Sequence, residues 1–238
     1  MNWMGNVVIA DGVGVFRGHV GGNNMHRHWA SQITISLDNT FEVEVLGEGS
    51  FSLQAAFFRP NVGHRLIHGN VCSFYFDPVS PLFDCLVGTK NENWGELSHL
   101  NRQLKSLAQA QNPIEAIIND FRPRHTMDPR INTVLANIKS GLEQETCTDR
   151  LVLAELVGMS ASRFSHWFVE QLGIPVRSYK KWLKLRLAID AMLNGKAPID
   201  AAHSAGFSDQ AHMSRAFAHA FGITYMSART AIATKKVQ

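Results

Sequence analysis

The segment GFSDQAHMSRAFAHAFG, residues 206–222, decides the fold of the C-terminal half. It begins with a glycine, continues through polar residues that can cap a helix, and then places Met213, Phe217 and Phe221 four residues apart. Because residues four apart lie on one face of an α-helix, these side chains predict one buried face. We therefore expect a turn at Gly206, an N-cap at Ser208 and a helix that closes at the end of the segment.

An earlier copy of this pattern lies in GMSASRFSHWFVEQLG, residues 158–173. Three residues before or at the turn recur 48 positions later, namely Ala154, Gly158 and Ser160 as Ala202, Gly206 and Ser208. After a one-residue slip, four helix residues recur 49 positions later, namely Phe164, Ser165, Phe168 and Gly173 as Met213, Ser214, Phe217 and Gly222. An internal repeat of this size predicts that one structural unit occurs twice.

Each copy predicts a helix, a glycine turn and a second helix. In the first copy we expect Asp149 to cap a helix that buries its apolar residues, Val152, Leu153 and Leu156. Ser160 is the expected N-cap of the next helix, which buries Phe164, Phe168 and Leu172. Together the two copies predict two helix-turn-helix units.

The second helix of each unit leaves a polar outer face that fits the major groove of DNA, where Arg bonds guanine and Gln bonds adenine. We hypothesise that eight residues on these helices contact DNA: Ser162, Arg163, Ser165, His166, Gln210, His212, Ser214 and Arg215. Between the units, residues 179–193 contain neither Gly nor Pro and predict one long helix of about 22 Å. The alternative for such a domain is a helical protein-interaction module.

The charge is unevenly divided along the chain. Residues 1–127 hold 9 Lys and Arg against 11 Asp and Glu, a net charge of −2, whereas residues 128–238 hold 14 against 9, a net charge of +5. The excess is densest at six basic residues between positions 163 and 186: Arg163, Arg177, Lys180, Lys181, Lys184 and Arg186. This asymmetry suggests that the C-terminal half meets a polyanion, but a solvated helix face explains it at least as well, so charge alone does not decide between them.

Residues 128–229 resemble the DNA-binding domain of the AraC/XylS family of transcription regulators. The resemblance rests on the residues of both copies quoted above, above all on residues 206–217, and on Arg186-Leu187 in the linking helix. Two positions depart from the family pattern, since Asp190 replaces a usual Ala and Thr224-Tyr225 follows Gly222 without a proline. The resemblance implies sequence-specific DNA binding, with activation more expected than repression, and double-stranded DNA and RNA polymerase as partners.

Residues 1–90 predict a β domain, because short segments such as 33–37, 41–46 and 71–76 are rich in β-branched and aromatic residues and are separated by turn residues. His26-Arg27-His28 followed by Gln32, and later His64, resembles the two cupin motifs. Three interpretations of His26, His28, Gln32 and His64 stay open: an effector pocket, which we favour, plain structural hydrogen bonds, or a metal site weakened by Gln in place of Glu. His68 is an alternative to His64.

The segment between the two halves predicts helix from Trp94 onward. Leu97, Leu100, Leu104 and Leu107 form one stripe, which packs either on its own β domain or against a second chain in a homodimer. Arg122-Pro123-Arg124 indicates a linker, and Asp128-Pro129 predicts the start of a helix that ends near Gly141.

Composition limits the remaining classes. The chain has 238 residues, 45% of them hydrophobic and 18% charged, with no apolar run long enough to cross a membrane and no signal peptide at the start. Three scattered cysteines, Cys72, Cys85 and Cys147, fit thiols in a reducing compartment, so we expect a cytoplasmic protein without a membrane partner.

The sequence therefore predicts an α+β fold in three parts: a small cupin-like β-barrel at 1–90, a helical linker or dimerisation segment at 91–127, and a double helix-turn-helix domain at 128–238. We expect a transcription regulator with a small-molecule effector, no cofactor, no resident metal and no enzymatic activity. The alternatives are a cupin metalloenzyme with an accessory DNA-binding domain, or a non-specific architectural DNA binder.

Overall fold

The computed structural model describes residues 3–10, 12–88, 92–98, 101–120, 128–144, 146 and 148–234. Leu100, Cys147 and the predicted linker at 122–124 lie outside the described residues. The chain forms two compact units: Met1–Arg124 together with Phe217–Gln238, and His125–Ala216. We refer to them as unit 1 and unit 2.

Unit 1 is built on one sheet. Its strands are β1 (Met4–Ala10), β2 (Val13–Gly21), β3 (Ser31–Ser36), β4 (Phe41–Val45), β5 (Gly49–Leu53), β6 (Ala55–Phe58), β7 (His64–Phe76), β8 (Trp94–Glu96) and β9 (Ile232–Thr234). The strand order is β8-β6-β3-β7-β2-β1-β9, with β4 paired to β5 and β7. The pairings among these strands are antiparallel except for the parallel pair β1 and β9. Within the described residues they do not close into a ring, so the predicted barrel is an open sheet.

The sheet is buried on both faces at its centre. All six residues of β3 are buried, and their side chains alternate between the two faces because a strand has a period of two. Ile33 and Ile35 join the hydrophobic core together with Phe74 and Phe76 of β7. The other face of the same two strands carries polar residues, and it holds the histidine site described below.

Three helices cover the apolar side of this core: α1 (Leu82–Val87), α2 (Asn101–Gln109) and α3 (Pro113–Asp120). Leu97, Leu104 and Leu107 are at most 2% exposed and belong to the core of their own chain. The stripe therefore packs within the chain, the first of the two predicted arrangements. The predicted helical start at Trp94 is wrong, because Trp94–Glu96 pairs with β6 as a strand.

Two pairs of helices in the C-terminal half repeat with offsets that differ by one residue. The helices of this half are α4 (Arg130–Glu143), α5 (Arg150–Leu156), α6 (Ala161–Leu172), α7 (Val176–Leu193), α8 (Pro198–Ser204), α9 (Gln210–Phe221) and α10 (Tyr225–Ala231). Helices α5 and α8 have seven residues each and differ by 48 positions, while α6 and α9 have twelve each and differ by 49. The α+β class with two helix-turn-helix units is thus confirmed, and residues 179–193 fall within the single helix α7.

The helix caps follow local side-chain chemistry, with one shift. The side chain of Asp149 accepts from the backbone N–H groups of Leu151 and Val152, and Ser160 accepts from Arg163 N–H, as predicted. In the second helix-turn-helix motif the cap of α9 is Asp209 rather than Ser208, since Asp209 Oδ1 accepts from His212 N–H at 2.6 Å. The one-residue slip explains this, because Asp209 lies 49 positions after the Ser160 cap and Ser208 is the inserted residue.

Other local expectations are partly wrong. Val152 and Leu156 are 40% and 44% exposed, so only Leu153 of the predicted trio is buried. Helix α4 begins at Arg130 and ends at Glu143, and Asp128 Oδ1 accepts from Arg130 N–H near its start. A seven-residue helix such as α5 can bury only a narrow stripe, which leaves its other apolar residues at the surface.

The two departures from the family pattern are structurally accommodated. Asp190 is exposed on α7, where Asn194 donates a hydrogen bond to it. Thr224 Oγ1 accepts from Ser227 N–H at 3.1 Å, so a threonine cap starts α10 where relatives carry proline.

Nowhere in the described ranges does a helix combine the length and the apolar character needed to cross a membrane.

Candidate functional site

Helices α6 and α9, the second helix of each helix-turn-helix motif, each separate a buried apolar face from an exposed polar face, although Phe221 at the end of α9 is half-buried rather than buried as predicted. Phe164 and Phe168 are fully buried, as is Met213 at the matching place in α9. Six of the eight predicted DNA-contacting residues are exposed: Ser162, Arg163, His166, Gln210, His212 and Arg215. The outer faces therefore offer donors and acceptors to a partner, as the sequence predicts.

The two remaining predicted contacts, Ser165 and Ser214, are half-buried. Ser165 Oγ donates to the carbonyl of Ala161 one turn earlier in the same helix, at 2.9 Å. That bond occupies its hydroxyl proton and leaves Ser162 and His166 as the more available polar groups of α6. Val169 is 40% exposed beyond them and adds an apolar contact point.

The start of α9 forms a small hydrogen-bonded cluster. Ser208 Oγ lies 3.1 Å from His212 Nδ1, and the His212 ring meets Phe207 edge-on with centroids 5.2 Å apart. The pKa of Asp209 lies below its usual value, first because His212 N–H donates to the carboxylate, with smaller contributions that include the charge of Arg215. These contacts fix the His212 ring, whereas Arg215 reaches solvent one turn further along α9.

The basic run divides into anchored and solvent-facing residues. Lys180 donates to the carbonyl of Thr148, and Lys184 donates to the carbonyl of Gly206 at the turn of the second helix-turn-helix motif. Arg163, Arg177 and Lys181 are exposed. Part of the run therefore ties α7 to neighbouring loops, and the rest supplies positive surface of the kind that phosphates attract.

The four predicted effector-site residues come together in unit 1. His28 Nε2 and His64 Nε2 lie 2.7 and 3.0 Å from the same atom, Gln32 Oε1. His26 pairs with His64 through two backbone hydrogen bonds of 3.0 and 3.1 Å. One ligand nitrogen from each of the three imidazoles can be chosen so that all lie within 4.8 Å of one another. We call His26, His28 and His64 the histidine cluster.

Burial keeps the histidine cluster neutral. The three imidazoles are 6%, 1% and 0% exposed in chain order. Desolvation lowers the pKa of His26 to about 3, with a further contribution from the neighbouring His28. The pKa values of His28 and His64 are also lowered by burial, that of His64 well below its usual value and further by its two histidine neighbours. Neutral imidazoles can accept a hydrogen bond or bind a metal ion.

A polar chain behind the cluster was not predicted. Gln32 Nε2 donates to Thr34 Oγ1 at 2.7 Å, Thr34 lies 2.9 Å from Ser73 Oγ, and Ser73 bonds Tyr75, whose pKa burial raises. The period-two alternation of polar and apolar residues in β3 and β7 was the available signal. His68 is exposed on β7, so His64 is the cluster member.

The loop that carries His26 also contacts the end of α9. We call residues 22–30 the His26 loop. Its backbone N–H groups at Asn24 and Arg27 donate to the carbonyls of Gly222 and His219, at 2.9 and 3.3 Å. Carbonyls in the last turn of a helix lack partners within the helix, so these bonds cap α9 from the β domain.

Comparisons with known proteins agree with this architecture. A profile of the helix-turn-helix domain family matches residues 153–231. The chain is 27% identical over 202 residues to the arabinose operon regulatory protein of Escherichia coli K12, covering 84% of this chain and 63% of that protein. The chain is thus similar to an AraC-type transcription regulator over most of its own length. It spans somewhat under two thirds of the length of this curated relative.

Two further comparisons show how far the similarity of sequence and of fold extends. An uncharacterised helix-turn-helix transcriptional regulator of Bacillus subtilis, YbfI, is 41% identical over 61 residues, which are 26% of this chain and 22% of that protein. Among solved structures, apo ToxT from Vibrio cholerae has a TM-score of 0.62 at 11% identity, covering 94% of this chain and 99% of that one. At this identity the likeness concerns the fold, an N-terminal β domain followed by the AraC-type helices.

Proposed function

We propose that this AraC-type chain is a sequence-specific transcription regulator that inserts α6 and α9 into the major groove of double-stranded DNA. The observation that carries the proposal is the pair of twelve-residue helices, each with a buried apolar face and an exposed polar face. Base recognition falls on Gln210 and Arg215 in α9, and on Ser162 and His166 in α6.

The two helices are expected to contribute unequally. Arg215 is exposed and long enough to bond a guanine with two donors, whereas Ser165 in α6 is bonded to its own helix. Arg163 extends from the first turn of α6 and suits a phosphate contact. Helix α9 therefore supplies most of the base discrimination, and α6 with the exposed basic residues mainly holds the backbone.

The N-terminal β domain is proposed to sense a small effector at the histidine cluster and Gln32. By analogy with the family, we also propose that the protein activates transcription through contact with RNA polymerase. A solved structure of similar fold, ToxT from Vibrio cholerae, is described as bound to an unsaturated fatty acid. Here the buried face around His28, Gln32 and Tyr75 is polar, which favours a polar ligand over an acyl chain. The similarity to AraC-type regulators favours a role in transcription over the metalloenzyme alternative. We propose separately that the protein forms a homodimer.

The decisive experiment is a selection of binding sequences from random duplex DNA with the wild-type chain, followed by anisotropy titrations. We expect Arg215→Ala to weaken binding to the selected site by about 1–3 kcal/mol and to relax the preference at one base pair. Arg229→Ala, which removes an exposed arginine from α10, is the matched control and should keep the selected sequence. If wild type enriches no sequence, the chain is a non-specific binder; if Arg215→Ala weakens all sequences equally, Arg215 contacts phosphate.

A further inference from the structure

We propose that Lys184 on helix α7 fixes the distance and the angle between α6 and α9, and that the chain therefore prefers DNA targets whose two half-sites have one particular spacing. The anchoring of the second helix-turn-helix motif by Lys184 stands on contacts within unit 2 alone. Only the preference for a half-site spacing rests on the proposed function.

The turn of the second helix-turn-helix motif ends α8 with two backbone hydrogen bonds. The N–H group of Gly206 donates to the carbonyl of His203 at 2.9 Å. The N–H group of Phe207 donates to the carbonyl of Ala202, also at 2.9 Å. These are the bonds of a Schellman motif, and Gly206 has the positive φ, 76°, that the motif requires. Since the motif does not use the carbonyl of Gly206, that carbonyl is available to a donor from another element.

Lys184 supplies this donor. Its Nζ atom donates to the carbonyl oxygen of Gly206, which is 22 positions further along the chain. A Cβ atom at position 206 would lie 3.4 Å from both Cε and Nζ of Lys184, so the end of the lysine side chain also packs directly on the glycine. The ammonium group lies at the C-terminal end of α8, where the last carbonyls of a helix favour a cation.

The equivalent turn of the first helix-turn-helix motif is built in the same way but is open. The N–H groups of Gly158 and Met159 donate to the carbonyls of Glu155 and Ala154, at 3.0 Å each. A Cβ atom at position 158 would meet no atom within 4 Å. Because the first motif makes the same turn without a lysine packed on its glycine, the turn itself does not need Lys184. The contact at Gly206 is therefore an added attachment to α7.

The first helix-turn-helix motif is attached to α7 one helical turn earlier. Lys180 Nζ donates to the carbonyl of Thr148, directly before the Asp149 cap of α5. The ring of Tyr179 meets the ring of Phe168 in α6 edge-on, with centroids 6.0 Å apart. Both contacts involve the same part of α7, so the first motif is held there at residues 179–180.

Helix α7 is thus a common frame for the two motifs. It is continuous over 18 residues and contains neither Gly nor Pro. Lys180 and Lys184 are four residues apart, so they lie on one side of α7 and about 6 Å apart along its axis. Without the Lys184 bond, the second motif keeps only the packing of α8 on α7 and the connection at 194–197. The bond therefore restricts how far α8 and α9 can rotate against α7.

This restriction has a consequence for the DNA target. One extra base pair between two half-sites moves the second half-site by about 3.4 Å and turns it by about 35° around the duplex. To follow this displacement, the second motif has to give up its bond to Lys184. The loss of a hydrogen bond to a charged group changes an equilibrium constant by about tenfold or more. The chain should therefore discriminate against an altered spacing by about the same factor.

Spin labels on α6 and α9 test the anchor in the absence of DNA. Labels are placed at Arg163 and Ala211, which are exposed, through a ketone-bearing amino acid that leaves the native cysteines unlabelled, and distances are measured by pulsed electron paramagnetic resonance. We expect one narrow distance distribution for the otherwise wild-type chain and a broader one for Lys184→Met, which keeps an unbranched side chain but has no donor. Lys184→Arg keeps a donor and should restore the narrow distribution. An equally narrow distribution in Lys184→Met overturns the anchor.

Anisotropy titrations test the spacing preference. The DNA site selected by the wild-type chain is compared with the same site carrying one base pair more or one base pair less between its half-sites. Wild type should bind the altered sites about tenfold more weakly, and Lys184→Met should reduce this ratio to about threefold or less. Lys181→Met, at an exposed lysine of the same helix, is the matched control and should keep the wild-type ratio.

The ratio separates positioning from other roles of Lys184. A folding defect lowers the active fraction equally for every spacing, so it leaves the ratio unchanged. An unchanged ratio in Lys184→Met, or no spacing preference in wild type, overturns the proposed preference. If the salt dependence of binding also becomes shallower by about one phosphate contact, Lys184 binds the DNA backbone instead. If wild type enriches no DNA sequence, the proposed function fails, whereas the label distances still decide whether Lys184 is the anchor.

Discussion

Lowering the pH should destabilise the β domain, because its three buried imidazoles are neutral in the folded chain. The clearest case is His26, whose pKa falls from the usual 6.5 to about 3 in the folded chain, first through burial. Between these values the unfolded chain binds a proton at His26 and the folded chain does not. The free energy of unfolding therefore decreases as the pH falls through this window and is undiminished above it.

The size of the effect follows from the width of the window. At about pH 5, roughly 1.5 pH units below the unfolded pKa, His26 alone lowers the free energy of unfolding by about 2 kcal/mol at 1.36 kcal/mol per unit. His28 and His64 shift in the same direction and add to it. For a domain whose total stability is about 5–15 kcal/mol, this loss is large.

The measurement is urea denaturation at about pH 7.5 and pH 5 in the presence of a chelator, with hydrogen exchange of β3 and β7 peptides reporting unit 1. His26→Gln, which does not titrate, should show a smaller pH dependence than wild type by about 2 kcal/mol. His19→Gln, at an exposed position on β2, should behave like wild type. An unchanged pH dependence in His26→Gln would refute the buried neutral imidazole.

Three further outcomes can be measured by thermal and urea denaturation with circular dichroism. Phe164→Ala should cost about 3–5 kcal/mol, because the ring is fully buried between helices. Asp209→Ala should lower the melting temperature more than Ser208→Ala, and the reverse order would contradict the assigned cap. Gly222→Ala should destabilise the protein more than Gly158→Ala. Both glycines have positive φ, but a Cβ atom at position 222 would lie 2.3 Å from a backbone oxygen, whereas one at position 158 would have no atom within 4 Å.

Local chemistry accounts for most of what the sequence could predict. The Asp149 and Ser160 caps, the glycine turns and the buried faces of α6 and α9 depend on neighbours within four residues. The strand at Trp94–Glu96 exists only because β6 offers it an edge, and three residues carry no pattern of their own. Its pairing is therefore invisible to periodicity.

The candidate site shows the same division. The resemblance to a cupin motif identified His26, His28 and Gln32, which lie within one short segment of the sequence. Gln32 and His64 are 32 residues apart in the sequence. The His26 loop and the end of α9 that it caps are about 200 residues apart. Such contacts are decided by strand register and by the packing of distant segments, which a single sequence does not encode in any local pattern.

The equal lengths and constant offset of α6 and α9 bear on the geometry of the DNA target. A homodimer with one recognition helix per chain is two-fold symmetric and matches a palindrome. Here two non-identical helices, with His166 in one at the position of Arg215 in the other, follow each other in a single chain. The cognate site is therefore expected to have a direction: inverting it on the duplex reverses the order of the two half-sites and turns the β domain toward the opposite flank.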